Sequence, residues 1–166
     1  MAVNVFLKFE GPVIKGESTD SRHKDEIQVL SWSHSFNQPT KATRSGAGAG
    51  TVEQANHSDF TFSKYLDMAT DDLMKYCWNG KQIGKATLSC YRSDGGEESI
   101  LYLQVEMEDV IVSNISIGGG PGDLPTENIS LAYAKVTYTY KAQKPDSGDA
   151  GGVQPVSHDL IRQIVT

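Results

Sequence analysis

The sequence has almost no cysteine, little proline and no excess of positive charge. Its two cysteines, Cys77 and Cys90, are too few for a disulfide scaffold or a cysteine-rich metal site, and their unlike contexts read as two buried free thiols. Lys and Arg number 15 against 21 Asp and Glu, a net charge of −6. The positive field on which nucleic acid or an anionic membrane surface depends is therefore missing, and neither is an expected partner. No stretch approaches the run of about 18 apolar residues that reads as a membrane-spanning helix, so no membrane insertion is expected. Residues 1–9 lack a basic flank, and Asn4 and Lys8 break their apolar content. That is a strand pattern rather than a signal peptide, and it places folding in the cytoplasm, where thiols stay reduced.

What is present is mostly strand. Val3, Val5, Leu7 and Phe9 alternate until Gly11-Pro12 breaks the run. Phe60 and Phe62 alternate, as do Ala86, Leu88 and Cys90; Leu101, Leu103, Val105 and Met107 make one clean face, and Val110-Ile111-Val112 is apolar on both. Two extended segments change phase. In one, Ile27 and Val29 give way to Leu30, Trp32 and Phe36; in the other, Ile129, Leu131 and Tyr133 give way to Val136, Tyr138 and Tyr140. A regular strand has a side-chain period of two, so each change demands a bulge, a bend near Ala134-Lys135, or a passage from one sheet to another. Such slips suit a small closed or nearly closed barrel.

One helix is expected, with Thr70 as N-cap, Asp71 and Asp72 at its positive end and Asn79-Gly80 as its stop. Ala69, Leu73, Tyr76 and Cys77 share its inner face, and Met68 and Met74 read as core filling. The segment 37–56 has almost no large apolar residue, and a loop of that length inside a compact domain points to function or disorder. Residues 1–143 read as one β domain; 144–166 read as a polar linker and a C-terminal strand completing it.

The chemistry of an enzyme is hard to find. Gly46-x-Gly48-x-Gly50 is followed by Thr51-Val-Glu-Gln rather than a helix, so a phosphate cradle is a poor reading. His23, His34, His57 and His158 lie far apart without metal-ligand spacing. No Gly-x-Ser-x-Gly elbow occurs, and neither cysteine stands in a nucleophile constellation. Glu106-x-Glu108-Asp109 reads as a solvated strand edge rather than a cation site. No catalytic residue, cofactor-binding residue or metal ligand is assigned, and no cofactor is expected.

Several blocks in order resemble a known family. Gly16-Glu17-Ser18-x-Asp20, His23-x-x-Glu26-Ile27-x-Val29-x-Ser31-Trp32, Phe60-x-Phe62-x-Lys64-Tyr65-Leu66-Asp67, Met107-Glu108-Asp109-Val110-x-Val112-Ser113 and Glu127-x-Ile129-x-Leu131-x-Tyr133-x-Lys135-Val136-x-Tyr138 are similar to the haemolysin-coregulated protein (Hcp) family, the tube proteins of bacterial type VI secretion. They run over about nine-tenths of the chain; the stretch after Gly152 matches least, with Ser157-His158 where the family often has an aromatic.

The resemblance implies a mainly β fold: a small β-barrel of two antiparallel sheets with one short flanking α-helix and a long extended loop. It implies a structural subunit, not an enzyme, that forms hexameric rings stacking into a tube. Sheath and spike proteins would be partners, and effectors would ride in the lumen. The subunit would leave the bacterial cytoplasm without a cleaved signal peptide. By the same likeness Ser31 is the candidate lumen contact for cargo. Gln38 and the run Ser45, Gly46, Ala47, Gly48, Ala49, Gly50 and Thr51 are candidates for ring stacking. The alternative is a monomeric β-barrel module for carbohydrate or another ligand, using Tyr133, Tyr138 and Tyr140 as a platform.

Overall fold

A computed structural model describes residues 3–39, 54–93, 99–143 and 150–166. The expected stacking run Ser45, Gly46, Ala47, Gly48, Ala49, Gly50 and Thr51 lies outside them.

The first sheet is built on β1 (Val3–Glu10), which pairs antiparallel along its whole length with β7 (Ile83–Ser93). Beyond β7 come the 20-residue β8 (Ser99–Gly118) and then β10 (Lys135–Gln143). On the far side of β1 lies β2 (Ile27–Gln28). The second sheet orders β3 (Ser31–Ser33), β6 (Phe60–Tyr65), β9 (Thr126–Ala132) and the C-terminal half of β8. A two-residue ladder joins β4 (Phe36–Asn37) to β5 (Asn56–His57).

Each expected phase change falls where the chain leaves one sheet for the other. Val29 donates its N–H to Val5 of the first sheet, and the next residue, Leu30, donates to Ser63 of the second. Ile27 and Val29 are accordingly buried while Leu30 is exposed. Strand β9 belongs to the second sheet and β10 to the first, with the bend at Tyr133-Ala134. Strand β8 makes the same passage without a break. Asp109, at a φ of 53°, switches the buried set from Val105 and Met107 to Val110 and Val112. The Ala134 N–H reaches the Glu108 carbonyl at 3.0 Å, so both strands turn at one level.

The mainly β architecture, with two antiparallel sheets and one short helix, is thus as expected. The expected barrel is not closed among the described residues; the two sheets are linked where the chain crosses between them, at β2–β3, within β8 and at β9–β10. Among the described residues, β2 pairs only β1 and β3 pairs only β6, so the hydrogen-bonded ladders do not form a ring. Between the sheets lies one core that includes Leu7, Phe9, Ile27, Phe60, Phe62, Leu88, Val105, Met107, Ile129 and Leu131. Cys90 is buried in it and free; burial pushes its thiol up to about 11.

The helix α1 (Ala69–Asn79) closes at Gly80, whose φ of 65° lets its N–H return to the Tyr76 carbonyl. Its start differs from expectation. Thr70 is not the N-cap: it lies inside the helix with its side chain buried, and Asp67 Oδ1 instead accepts from the Ala69 N–H at 2.9 Å. Met68 is 62% exposed rather than core.

The C-terminal region also differs from a single final strand. Three short strands follow one another, β11 (Ala150–Val153), β12 (Val156–Asp159) and β13 (Ile164–Val165), of which β11 and β12 pair with β10 and β13 with β12. The reversal is set by Asp159, whose carboxylate accepts from the N–H groups of Ile161 and Arg162.

Candidate functional site

Strand alternation gives the second sheet two unlike faces. Inward, β6 presents Phe60, Phe62 and Lys64, and β9 presents Glu127, Ile129 and Leu131, all buried. Outward, the register aligns two rows across the four strands. One row is Ser31, Ser63, Asn128 and Ser116; the next is Ser33, Thr61, Ser130 and Asn114. Every member is a small, neutral hydroxyl or amide residue. Cross-strand pairs share a face, so the rows form one patch.

Hydrogen bonds tie the patch together. Ser31 Oγ lies 2.5 Å from Ser63 Oγ, and Thr61 Oγ1 lies 3.1 Å from Ser130 Oγ. At the bulge in β8, Ser113 Oγ donates to Asp59 Oδ2 at 2.6 Å. Asp59 brings a charge to the margin of the patch, beside a shallow depression lined also by Ser33, Ser35, Ser58 and Thr61. Short side chains keep the face flat, and hydroxyls and amides both donate and accept. A surface of this kind holds water and makes many weak contacts without selecting a sign of charge. It offers no activated nucleophile.

Ser31, the candidate cargo contact, sits in this face and is exposed. Its neighbour Trp32 points the other way, half-buried and stacked on Phe60 with ring centroids 5.7 Å apart. Gln38 follows β4 and is exposed.

Behind the patch lies an ionic group that the sequence reading overlooked. Lys64 and Glu127 are directly opposed in the β6–β9 register, and both side chains are fully buried in an ion pair. Lys64 Nζ also contacts Asp67 Oδ1 at 2.7 Å and Thr70 Oγ1 at 3.2 Å, and Thr70 donates to Glu127 Oε1 at 2.8 Å. The network pins the start of α1 to the inner face of the sheet. The alternation Phe60-x-Phe62-x-Lys64, carried to its end, puts Lys64 inward; the signal was there.

The histidines also come together. Three of the four, far apart in sequence, meet at the corner where the sheets join. His34 Nδ1 lies 2.5 Å from Tyr138 Oη, and His34 Nε2 lies 3.1 Å from the Ser58 carbonyl and 2.8 Å from Tyr133 Oη. His57 Nδ1 is 2.7 Å from Tyr133 Oη, and His57 Nε2 is 2.7 Å from His158 Nδ1. Burial lowers the His34 imidazole to about 4, with His57 nearby adding to it, and burial and then His158 lower His57. Burial likewise raises Tyr133, and raises Tyr138 to about 12. Tyr133 and Tyr138 are half-buried with hydroxyls committed to imidazoles, whereas Tyr140 is exposed. The three tyrosines thus form no common exposed platform for a sugar.

The acidic run on β8 meets cations across the sheet, Lys85 with Glu106 and Lys135 with Glu108, each at 3.6 Å. Among the described residues no group of three or more potential ligands is placed to hold a metal ion, and no helix is long and apolar enough to cross a membrane.

Comparison with known proteins gives a consistent answer. Residues 6–140 match the family described as type VI secretion system effector, Hcp. The chain is 41% identical over 167 residues to the protein hcp1 of Pseudomonas aeruginosa, covering 99% of both. Among solved structures, it resembles Hcp1 from Salmonella typhimurium at 30% identity and a TM-score of 0.79, with both chains fully covered. It also resembles a type VI secretion system effector from Yersinia pestis at 30% identity and a TM-score of 0.72, covering 93% of this chain and 98% of that one.

Proposed function

The chain belongs to the Hcp family of type VI secretion proteins, and from that membership we propose that it is a ring-forming tube subunit that carries effectors against the hydroxyl face of its second sheet. Six copies close a ring with that face turned to a central bore. Rings stack into the tube that sheath and spike proteins surround and tip, and the tube is exported from the bacterial cytoplasm. The subunit acts by assembly and carriage rather than catalysis.

The observation that carries this reading is the two rows of small neutral hydroxyl and amide residues around Ser31, with the charge of Asp59 kept to the margin. A cargo moved through a bore must be held and then released. Many weak neutral contacts do that better than a few strong ones, and their sum grows with the number of subunits that line the bore.

The edges supply the reason to assemble. Strand β13 ends the first sheet, and its own Ile164 and Val165 are exposed, as are Val156 on β12 and Ile161 in the turn between them. An open strand edge with apolar side chains is a template for pairing, and head-to-tail contacts between copies close a ring when their rotation permits. Gln38 and the run 45–51 are assigned to contacts between stacked rings; the glycines in that run allow close backbone approach.

The solution mass tests the reading. Light scattering on the purified chain is expected to give six times the subunit mass of 18.1 kDa. A mass that stays at one subunit through the concentrated range contradicts it.

A further inference from the structure

We propose that His34, His57, His158, Tyr133 and Tyr138 form an acid-released clasp. In its neutral form the clasp holds the base of the β4–β5 hairpin and the strand β12 on the corner between the two sheets. The clasp belongs to the single chain and requires no ring.

The geometry fixes where each proton sits. A carbonyl oxygen only accepts, so His34 Nε2 carries the hydrogen it gives to Ser58. His34 Nδ1 is then an acceptor and takes the Tyr138 O–H. The Tyr133 oxygen, facing the same Nε2–H, accepts from it and gives its own proton to His57 Nδ1. That leaves the hydrogen of His57 on Nε2, directed at His158 Nδ1. The His34 Nε2–H is shared between the Ser58 carbonyl and the Tyr133 oxygen, each other proton has one acceptor, and the chain of bonds runs in one direction from Tyr138 to His158.

Any added proton breaks it. On His158 Nδ1 it sets two N–H groups against each other across 2.7 Å. On His57 Nδ1 it leaves the Tyr133 oxygen facing two donors and the Tyr133 proton without its acceptor. On His34 Nδ1 it opposes the Tyr138 O–H. Around the cluster, Phe36 and Phe60 supply ring edges rather than charge. Asp59 is the carboxylate that acts on His34 and Tyr133, and it favours the imidazolium, but burial outweighs it at His34. Cys90 on β7 acts on Tyr138, while Asp159 on β12 is engaged by Arg162 and Lys135. The clasp spans three parts of the chain: the β3–β4 segment and β5, which the short β4–β5 ladder and Ser35–Ser58 hydrogen bonds also join, and the C-terminal β12.

Hydrogen–deuterium exchange on the full chain, at about pH 7.5 and about pH 5 and corrected for intrinsic rates, reads the clasp directly. Acid is expected to cut protection by about tenfold or more in residues 54–58 and 156–166 while β1 and β7 keep theirs. Equal protection at both pH values, or a loss spread evenly into β1 and β7, overturns the proposal. The double variant His57→Gln with His158→Gln keeps hydrogen-bonding groups but removes two imidazoles, and its acid response is expected to fall below half of the unsubstituted chain's. An undiminished response overturns it. Imidazole nitrogen shifts of the unsubstituted chain are independent of how that variant folds: Nε2–H tautomers are expected at both His34 and His57, and an Nδ1–H tautomer at either counts against the clasp.

Discussion

Lys64 and Glu127 face each other across β6 and β9, both wholly removed from solvent, directly behind the hydroxyl face that carries Ser31 and Ser63. The same sheet thus buries an ion pair beside the apolar residues of its inner face and carries neutral residues on its outer one. Taking a charge out of water costs several kcal/mol, so the pair is stable only as a pair, with Asp67 and Thr70 accepting from Lys64 and Thr70 donating to Glu127 Oε1.

Removing one partner leaves the other buried and uncompensated. Lys64→Met is expected to lower folding stability by about 3–5 kcal/mol, whereas Lys64→Met with Glu127→Leu recovers a large part of the loss. Urea denaturation of the two variants measures both. A single variant as stable as the parent contradicts the role given to the pair.

Gly16 sits where a side chain has no room. A Cβ there would lie 2.5 Å from the Glu26 carbonyl oxygen and 2.8 Å from the Ile27 Cα, both backbone atoms. Gly16→Ala is expected to cost about 1–3 kcal/mol, seen as a drop of a few degrees in the thermal midpoint.

Acid weakens the fold through His34. Its imidazole titrates near the ordinary value of 6.5 when unfolded and at about 4 when folded. Between these the unfolded chain binds more protons, so stability is full above about pH 6.5 and declines as pH falls toward 4. Urea midpoints across that window are expected to drop more steeply in the parent than in His34→Gln. Parallel slopes contradict this sign.

Much of the fold was legible, and the reasons are specific. The two phase changes, Val29 to Leu30 and Tyr133 to Val136, marked where the chain passes between sheets, because a period of two cannot be broken silently. The helix and its Gly80 stop were legible from Asn79-Gly80. Thr70 was misplaced because a threonine just before two acidic residues imitates an N-cap; its partner Glu127 is 57 residues away. Ser31 could be placed on a strand, but its hydroxyl surroundings depend on the register of four strands. The meeting of His34, His57 and His158 is hidden for the same reason, since spacing along the chain carries no trace of a corner built by bends.

Changes at the proposed bore and stacking surfaces should separate from changes in the fold. Ser31→Trp is expected to preserve ring mass while reducing retention of a bound effector by about tenfold or more. Deleting residues 45–50 is expected to leave rings intact and stop their growth into tubes, read by sedimentation. Full retention in the first variant, or tubes from the second, removes that assignment.

The orientation of the second sheet in the assembled particle is the most direct test of all. Electron cryo-microscopy of the purified protein is expected to show six-fold rings whose bore is lined by Ser31, Ser63, Asn128 and Ser116. Single subunits, or rings that turn this face outward, would contradict the account.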